Sequence, residues 1–216
     1  MHAHDQDERR SVADLLWRAD PNEWVRKRTA QLPAGRALDL GSGKGRNAVW
    51  LATRGWAVTA VDFSRVALDE ARRLEQARAG SATHPVRWVP ADAADYEPDG
   101  AFDLVLVVHL HVPAQQRAEV LRRAARSLAP GGRLLVVGHH ADNLTAGTGG
   151  PQDPDLLYTQ HDLLADLAGF PELATRFADR TTRLLGGGPR PALDVVAEFQ
   201  HVPGGSGALG VSPAAR

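Results

Sequence analysis

Residues 37–47, which read ALDLGSGKGRN, constrain this chain more than any other stretch. Residues 37–40 suit a buried strand and run directly into a Gly-x-Gly-x-Gly turn, after which residues 48–54 have the pattern of a helix. A second strand follows at residues 57–61 and ends on Asp62. This order predicts a β-α-β unit with the glycine turn at its first strand-to-helix junction.

The glycines and the acid of this unit have separate physical tasks. Gly41 and Gly43 let the backbone turn tightly and let a ligand approach without meeting a Cβ atom. Gly45 lets the helix begin close to the strand, and Asp62 lies at a strand end where an acid can accept both hydroxyls of a ribose. A plain structural turn does not require that acid, so the pattern favours a nucleotide-type ligand.

Two features narrow the ligand class. A dinucleotide-binding fingerprint has glycine or alanine at position 46, where this chain has the bulky Arg46. Lys44 is followed by Gly45 instead of serine or threonine, so the turn does not match the phosphate-binding Gly-Lys-Ser/Thr loop. The sequence therefore predicts a nucleoside ligand without a pyrophosphate.

The turn and its flanking strands resemble motif I of the class I S-adenosylmethionine-dependent methyltransferases. The resemblance implies an α/β fold, a Rossmann-like doubly wound seven-stranded sheet that is mostly parallel with an antiparallel strand 7, and an N-terminal helical cap. It implies S-adenosyl-L-methionine as the cofactor and S-adenosyl-L-homocysteine as the product. Asp39 would then lie near the methionine amino end, and Asp62 would bind the ribose.

The resemblance assigns further residues to the cofactor. Asp92 would accept a hydrogen bond from the adenine amino group, and the backbone amide of Ala93 would reach a ring nitrogen; without the resemblance, Asp92 is an ordinary turn acid. Lys44 adds positive charge beside a cationic cofactor and is expected to weaken its binding. The remaining residues predicted to bind the cofactor are Gly41, Ser42, Gly43, Gly45, Asn47, Phe63 and Val108.

The resemblance to these methyltransferases covers nearly the whole chain after about Leu32. The residues of four segments narrow it to one subfamily. The segments at residues 41–47, 51–59 and 61–64 resemble the tellurite-resistance methyltransferase-like subfamily, and so does the Gly-Gly-Pro-Gln loop at residues 149–152. We therefore expect a methyltransferase of that subfamily.

Composition limits the possible partners. The chain has 25 basic and 26 acidic residues, so it has no broad basic field for nucleic acid, although a local patch stays open. It contains no cysteine, which excludes disulfides, thiolate catalysis and cysteine-ligated metals. No long apolar run and no signal-peptide core is present, so we expect a cytoplasmic protein without a membrane or nucleic-acid partner. The oligomeric state is not predicted.

We expect three regions along the chain. Residues 1–31 are predicted to form an N-terminal tail and helical cap, residues 32–202 the methyltransferase domain, and residues 203–216 a flexible tail rich in Gly, Ser and Pro. In the first region, Asp20 is expected to cap a helix in which Glu23 completes a capping box. The N-terminal helices either pack on the sheet or form a lid over the site.

The other elements follow from apolar runs and their breaks. A helix is expected to stop at Pro130, and a long loop at residues 139–156 is expected to be functional. Thr159 and Asp162 form a capping-box pattern that opens a later helix. The remaining strands are predicted at residues 86–89, 101–108, 133–137, 176–185 and 193–199.

Histidines after the fourth and fifth strands are the candidates for chemistry. Methyl transfer is an in-line displacement that depends on positioning, and a base is needed only when the acceptor carries a proton that must leave. His109 and His139 are the predicted catalytic residues, and His111 and His140 are weaker candidates that local capping or solvation also explains. Four histidines at one edge also suggest a metal, but no familiar ligand spacing is present, so none is predicted.

The acceptor is predicted to be small. The chain has Val-His-Leu-His at residues 108–111 in place of the Asp/Asn-Pro-Pro-aromatic turn of amino methyltransferases that modify bases, and no added substrate domain is evident. Chalcogen oxyanions, thiols and small oxygen or nitrogen nucleophiles all stay open. Two alternatives are a non-catalytic S-adenosylmethionine-binding regulatory protein and, opposed by Arg46, a nicotinamide-dependent oxidoreductase.

Overall fold

The computed structural model of this chain describes residues 20–78, 84–184 and 190–204. Seven strands are present in this part of the chain. They are β1 (Arg36–Leu40), β2 (Ala57–Asp62), β3 (Arg87–Pro90), β4 (Phe102–Val108), β5 (Leu128–His139), β6 (Leu173–Arg183) and β7 (Ala192–His201). Among the described helices, none is long and apolar enough to cross a lipid bilayer.

Helices connect most of these strands. They are α1 (Glu23–Thr29), α2 (Arg46–Thr53), α3 (Arg65–Ala77), α4 (Ala114–Arg126), α5 (Asn143–Ala146) and α6 (Gln160–Asp166), with a single 3₁₀ turn at Pro154–Leu156. Two of these elements, α5 and the 3₁₀ turn, are short and lie inside residues 139–156, which the sequence predicted as a long loop.

The strands form one sheet in the order β3-β2-β1-β4-β5-β7-β6. The pairs β1–β2, β2–β3 and β4–β5 are parallel, whereas β7 runs antiparallel to both β5 and β6. This sheet confirms the predicted Rossmann-like α/β fold with an antiparallel strand 7.

The chain divides into two compact units, Met1–Asp92 and Ala93–Arg216. In the first unit, β1 and β2 are buried along nearly their whole length, and Leu38, Leu51 and Leu68 lie fully inside. Strands with helices on both faces need such near-continuous apolar runs, which is why these segments do not alternate in polarity.

The second unit has its core around β4, β5 and β7. Leu104 and Leu135 on the parallel pair and Phe199 on the antiparallel strand are fully buried. Thr159 and Asp162 form the predicted capping box at the start of α6, since each side chain accepts a backbone N–H of the other residue.

The predicted N-cap of the first described helix was wrong. Asn22, not Asp20, caps α1, because its Oδ1 accepts the backbone N–H of Trp24 at 2.8 Å. The backbone N–H of Asn22 donates to Oδ1 of Asn47 at 2.9 Å, which holds the cap residue in place. Residues 1–19 of the predicted N-terminal tail and helical cap, and most of the predicted tail at residues 203–216, lie outside the described residues.

The boundary between α4 and β5 also differs from the prediction. The helix ends at Arg126, and β5 begins at Leu128, so Pro130 lies inside the strand and not at the end of a helix. The register of β4 and β5 is irregular between Phe102 and Leu104. A proline has no N–H to give to a ladder, and such an irregularity accommodates it within a strand.

Candidate functional site

The glycine turn lies at the carboxyl ends of β1 and β2. Leu40 pairs with Val61, and the backbone N–H groups of Gly41 and Ser42 both donate to the carbonyl of Val61 at 2.9 Å. These bonds fix the turn beside Asp62, the last residue of β2. The structure therefore brings the predicted turn and the predicted acid together.

Gly43 and Gly45 are glycines for different reasons. Both have positive φ, at 54° and 78°, but a Cβ on Gly43 would meet no atom within 4 Å, whereas a Cβ on Gly45 would lie 2.5 Å from the Trp88 ring. Trp88 cannot move away easily, because its Nε1 donates to Glu75 at 2.7 Å. Gly45 thus allows close packing inside the protein, and Gly43 leaves open space for a ligand.

Asp62 is held so that both of its oxygens have a fixed direction. Its Oδ2 accepts the backbone N–H of Gly43 at 2.8 Å, and its Oδ1 accepts that of Ser64 at 2.8 Å. A carboxylate oxygen has two acceptor positions, so each oxygen keeps one for a ligand hydroxyl. The neighbouring Phe63 ring is 75% exposed, so its face is available to a ligand.

Asp39 on β1 has an unpaired oxygen in a buried position. Its side chain is 1% exposed, and Oδ2 has no hydrogen-bond partner among the described residues. Burial raises the pKa of this carboxyl to about 7; the Arg46 charge and the Ala48 N–H oppose the increase, and the Asp62 charge adds to it. An orphaned buried carboxylate oxygen fits a cationic donor such as an ammonium group.

Three other predicted residues of the turn have varied surroundings. Ser42 is buried, and its Oγ has no partner in the described part of the chain. Asn47 is buried and accepts the Asn22 N–H, so it joins the N-cap of α1 to the first turn of α2. Lys44 forms an ion pair with Glu70 at 2.7 Å, which offsets the charge that was expected to weaken cofactor binding.

The last predicted cofactor residues lie at strand ends. Asp62 at the end of β2 pairs with Pro90 at the end of the parallel strand β3. Asp92, two residues after Pro90, therefore lies at the same edge of the sheet as Asp62, and the Asp92 side chain is exposed. Ala93 and Val108 belong to the second unit and are both buried, with Val108 ending β4.

Three of the four candidate histidines come together in the second unit. His109, His111 and His139 form what we call the histidine cluster, with ring centroids 4.9 Å apart for His109 and His139, 5.2 Å for His111 and His139, and 5.8 Å for His109 and His111. His140 is not part of it, because its Nδ1 accepts the backbone N–H of Asp142 at 3.0 Å.

The parallel pairing of β4 and β5 builds this cluster. Val108 pairs with Val137, and the N–H of His109 donates to the Val137 carbonyl at 2.7 Å. His109 is the only non-glycine residue with positive φ in the described part of the chain, at 55°. A side chain held there costs about 1–3 kcal/mol, and such strain is concentrated at functional sites.

A buried acid that the sequence analysis missed supports His139. Asp194 on β7 is fully buried and pairs with His139 across the antiparallel strands, with Oδ1 lying 3.4 Å from the ring Nδ1. Arg183 donates to both oxygens of Asp194, at 2.6 and 3.1 Å. Burial opposes ionisation, but the adjacent His139 ring, the hydrogen bonds from Arg183 and the arginine charge lower the pKa of Asp194 to about 2.

Two rings of the histidine cluster, His109 and His111, are electrically neutral near physiological pH. Burial lowers the pKa of His109 to about 3. The Asp194 charge opposes this decrease, and the neighbouring basic groups add to it. Burial and the neighbouring His139 likewise lower the pKa of His111 to about 4. A neutral imidazole has one N–H and one nitrogen lone pair, so each of these two rings offers one donor and one acceptor.

The long segment after β5 covers His139. A Cβ on Gly150 would lie 2.5 Å from the His139 ring, and φ of Gly150 is 76°, so only glycine fits there. Asn143, which the sequence analysis also missed, donates to the Gly149 carbonyl at 2.8 Å and accepts the Leu193 N–H at 2.7 Å. This asparagine thereby fixes the loop that was predicted to be functional.

Comparisons with known proteins agree with the fold. Residues 37–132 match the family profile described as "Methyltransferase domain". Nodulation protein S of Rhizobium tropici is 31% identical over 138 residues, which are 59% of this chain and 56% of that protein. Demethylmenaquinone methyltransferase of Thermus thermophilus is 36% identical over 128 residues, 58% of this chain and 54% of that protein. The chain thus spans about half the length of these relatives.

Solved structures share the architecture at low sequence identity. TehB from Haemophilus influenzae has a TM-score of 0.67 at 13% identity, and the match covers 84% of this chain and 62% of the TehB chain. Magnesium protoporphyrin IX methyltransferase from Synechocystis, with S-adenosylmethionine bound, has a TM-score of 0.60 at 18% identity and covers 92% and 79%. At these identities the likeness concerns the fold alone.

The family match and the relatives' names select one cofactor class from the alternatives that the sequence left open. The match covers β1 to the start of β5, including the glycine turn, Asp62 and Asp92. The orphaned oxygen of Asp39 and the open space at Gly43 fit S-adenosylmethionine, whereas Arg46 opposes a dinucleotide. Residues 37–132 of this chain match a methyltransferase domain, and S-adenosylmethionine is the cofactor that fits this region.

Proposed function

We propose that this protein is an enzyme that transfers a methyl group from S-adenosylmethionine to a small-molecule acceptor. The observation that carries the proposal is the pair of acids in the first unit: Asp39 has a buried oxygen without a partner, and Asp62 has two oxygens in fixed directions. A ligand with an ammonium group and a ribose diol satisfies both.

Each residue at the glycine turn has a proposed binding task. S-adenosylmethionine, when bound, supplies a methyl group on an electrophilic sulfonium. Asp39 accepts from the ammonium group, and Asp62 accepts from the ribose hydroxyls. The exposed Phe63 ring covers the apolar face of the adenine, while Asp92 and Ala93 bind its polar edge.

The histidine cluster is the proposed acceptor site. Two curated relatives, demethylmenaquinone methyltransferase and ubiquinone biosynthesis O-methyltransferase, are named for small quinone-type molecules, which supports a small acceptor here. His139 is the proposed base for an acceptor that carries a proton, because Asp194 orients its Nδ1 and leaves the other ring nitrogen for the acceptor. His109 and His111 would then position the acceptor.

The finer assignments are also proposals. We infer a protein of the tellurite-resistance methyltransferase-like subfamily from the residues of the glycine turn and of the 149–152 loop. Chalcogen oxyanions, thiols, and small oxygen or nitrogen nucleophiles are the acceptor classes to test. We propose a cytoplasmic location and no nucleic-acid partner, on the balanced charge of the chain.

The proposal is tested by turnover with a panel of small acceptors. S-adenosylhomocysteine release is measured with tellurite, selenite, thiols, phenols and small amines, each with the native protein and with Asp62→Ala. We expect release with at least one acceptor class and loss of release in the variant. Cofactor binding without turnover on any class would contradict the enzyme and support the regulatory alternative.

A further inference from the structure

We propose that His109, His111 and His139 form a binding site for a divalent transition-metal ion of the zinc class. Each ring offers one nitrogen, and the three nitrogens lie within 4.8 Å of one another. The sequence analysis expected no metal, since these residues follow no familiar spacing along the chain. The inference goes beyond methyl transfer, because ion binding is tested without cofactor or acceptor.

The distances suit an ion after a small movement of side chains. Zinc binds imidazole nitrogen at about 2.0–2.1 Å in a tetrahedral arrangement, so two ligand nitrogens lie about 3.4 Å apart. The separations in the cluster are at most 4.8 Å, so they need to shrink by no more than about 1.4 Å. His109 and His111 are only partly buried, so their rings have the freedom to turn toward an ion.

The contact between His139 and Asp194 is a second, independent observation. Histidines that bind metals usually donate their other ring N–H to a carboxylate, which fixes the ring and raises its basicity. Nδ1 of His139 faces Oδ1 of the fully buried Asp194 at 3.4 Å, so Nε2 is left as the ligand atom. Arg183 holds that carboxylate in place with two bonds.

Gly150 packs against the ring of His139. A Cβ at Gly150 would lie 2.8 Å from Nε2 of His139, so any larger residue at this position would obstruct that nitrogen. The backbone N–H of His139 reaches Nε2 of His111 only at 3.4 Å, a long contact that costs little to give up.

Three protein ligands leave a tetrahedral ion with an open position. Zinc sites that take part in chemistry have this composition, whereas structural sites are closed by a fourth protein ligand. A lone pair of oxygen, nitrogen or sulfur on a small molecule fits the open position. The structure thus assigns to the histidine cluster a Lewis-acid site, in which an acceptor would bind at the open position of the ion and Nε2 of His139 would be a ligand in place of a base.

The test is metal binding by the whole protein after treatment with a chelator. Zn²⁺ is titrated by calorimetry and Co²⁺ by visible absorption, which reports the coordination geometry. We expect one ion per chain in the native protein, at least tenfold weaker binding in His111→Ala and in His139→Ala, and about 10–100-fold weaker binding in Asp194→Asn.

The controls separate the site from other histidines and from unfolding. His161→Ala changes an exposed histidine on α6 and is expected to bind the ion as the native protein does. His111→Ala is the safer ligand variant, because His111 is partly exposed, and cofactor titration reports whether it is folded. Absence of ion uptake by the native protein, or uptake unchanged in both ligand variants, would overturn the inference while leaving the cofactor result untouched.

Discussion

The two proposed functional regions of this molecule are built in opposite ways. The cofactor region of the first unit is made mainly by one continuous segment, residues 39–64, with Asp92 added after β3, and most contacts within the segment involve backbone groups. The histidine cluster with its supports comes from four separated segments around residues 109–111, 139–150, 183 and 194, and its contacts come from side chains.

The difference lies also in what each region still lacks. Asp39 has a buried oxygen without a partner among the described residues, so the cofactor region has a polar group that a ligand must satisfy. Both oxygens of Asp194 already accept hydrogen bonds from Arg183, and this carboxylate faces His139. The acid that supports the second region therefore has its partners within the protein. We infer that the first region is arranged for one fixed ligand and that the second presents one supported ring, His139, beside two rings that can turn.

The largest expected effect is on stability, from a methyl group at Gly45. In Gly45→Ala, the added Cβ meets the Trp88 ring and Cβ of Ala71 at a backbone position with φ of 78°. Left-handed strain and overpacking together should cost about 3 kcal/mol in the free energy of unfolding. Urea denaturation measures this loss.

Gly43→Ala is the matched control for that change. Gly43 has a similar φ, but its Cβ would enter open space, so we expect a loss of only about 1 kcal/mol together with weaker cofactor binding. Equal destabilisation by both variants would show that close packing at Gly45 is not what distinguishes the two glycines.

The next effect is on cofactor affinity, from the acid at the end of β2. Asp62→Ala removes the acceptors for the ribose diol and frees the N–H of Gly43. Because hydrogen bonds to a charged group are each worth about 1.5–3 kcal/mol, binding should weaken about 100-fold. Calorimetric titration checks this, and unchanged affinity would remove the assignment of the motif.

A smaller effect is expected on turnover, from the support of the histidine cluster. Asp194→Asn removes the charge that orients His139, so kcat should fall about 30-fold while the Kd for S-adenosylmethionine stays the same. Asp179→Asn on the adjoining strand β6 is the control and should leave both quantities unchanged. A parallel loss of cofactor affinity in Asp194→Asn would show that the two regions are not separate in function.

The smallest effect is a pH dependence of cofactor binding. The pKa of Asp39 is raised to about 7, so the carboxyl is increasingly protonated as the pH falls below that value and cannot pair with an ammonium group. Between about pH 6 and pH 5 the affinity should therefore fall about tenfold, as expected for one proton that must be released. The slope should disappear in Asp39→Asn, and a persisting slope would assign it to another group.

The contrast between the regions explains how much could be predicted from sequence. The glycine turn, Asp39 and Asp62 were found because strand, turn and acid lie next to one another along the chain. Asp194 and Arg183 escaped because their contact depends on the antiparallel pairing of β6 and β7, which brings distant residues together. A single aspartate inside the apolar run of β7 was the signal that could have identified it.

Local ambiguities account for the other differences. Asp20 and Asn22 are both good N-cap residues, and only the bond from Asn22 to Asn47 decides between them. His139 and His140 are neighbours in sequence, but side chains of successive residues in a strand point to opposite faces. His139 joins the histidine cluster, whereas His140 accepts the backbone N–H of Asp142. Composition and residue spacing do not reveal which of the two histidines faces the cluster.

The central claim is that the glycine turn with Asp39 and Asp62 binds S-adenosylmethionine. The most direct test is a calorimetric titration of the purified protein with S-adenosylmethionine, S-adenosylhomocysteine and NAD. We predict micromolar binding of the first two ligands and no binding of NAD. Binding of NAD alone, or of none of the three, would contradict the claim.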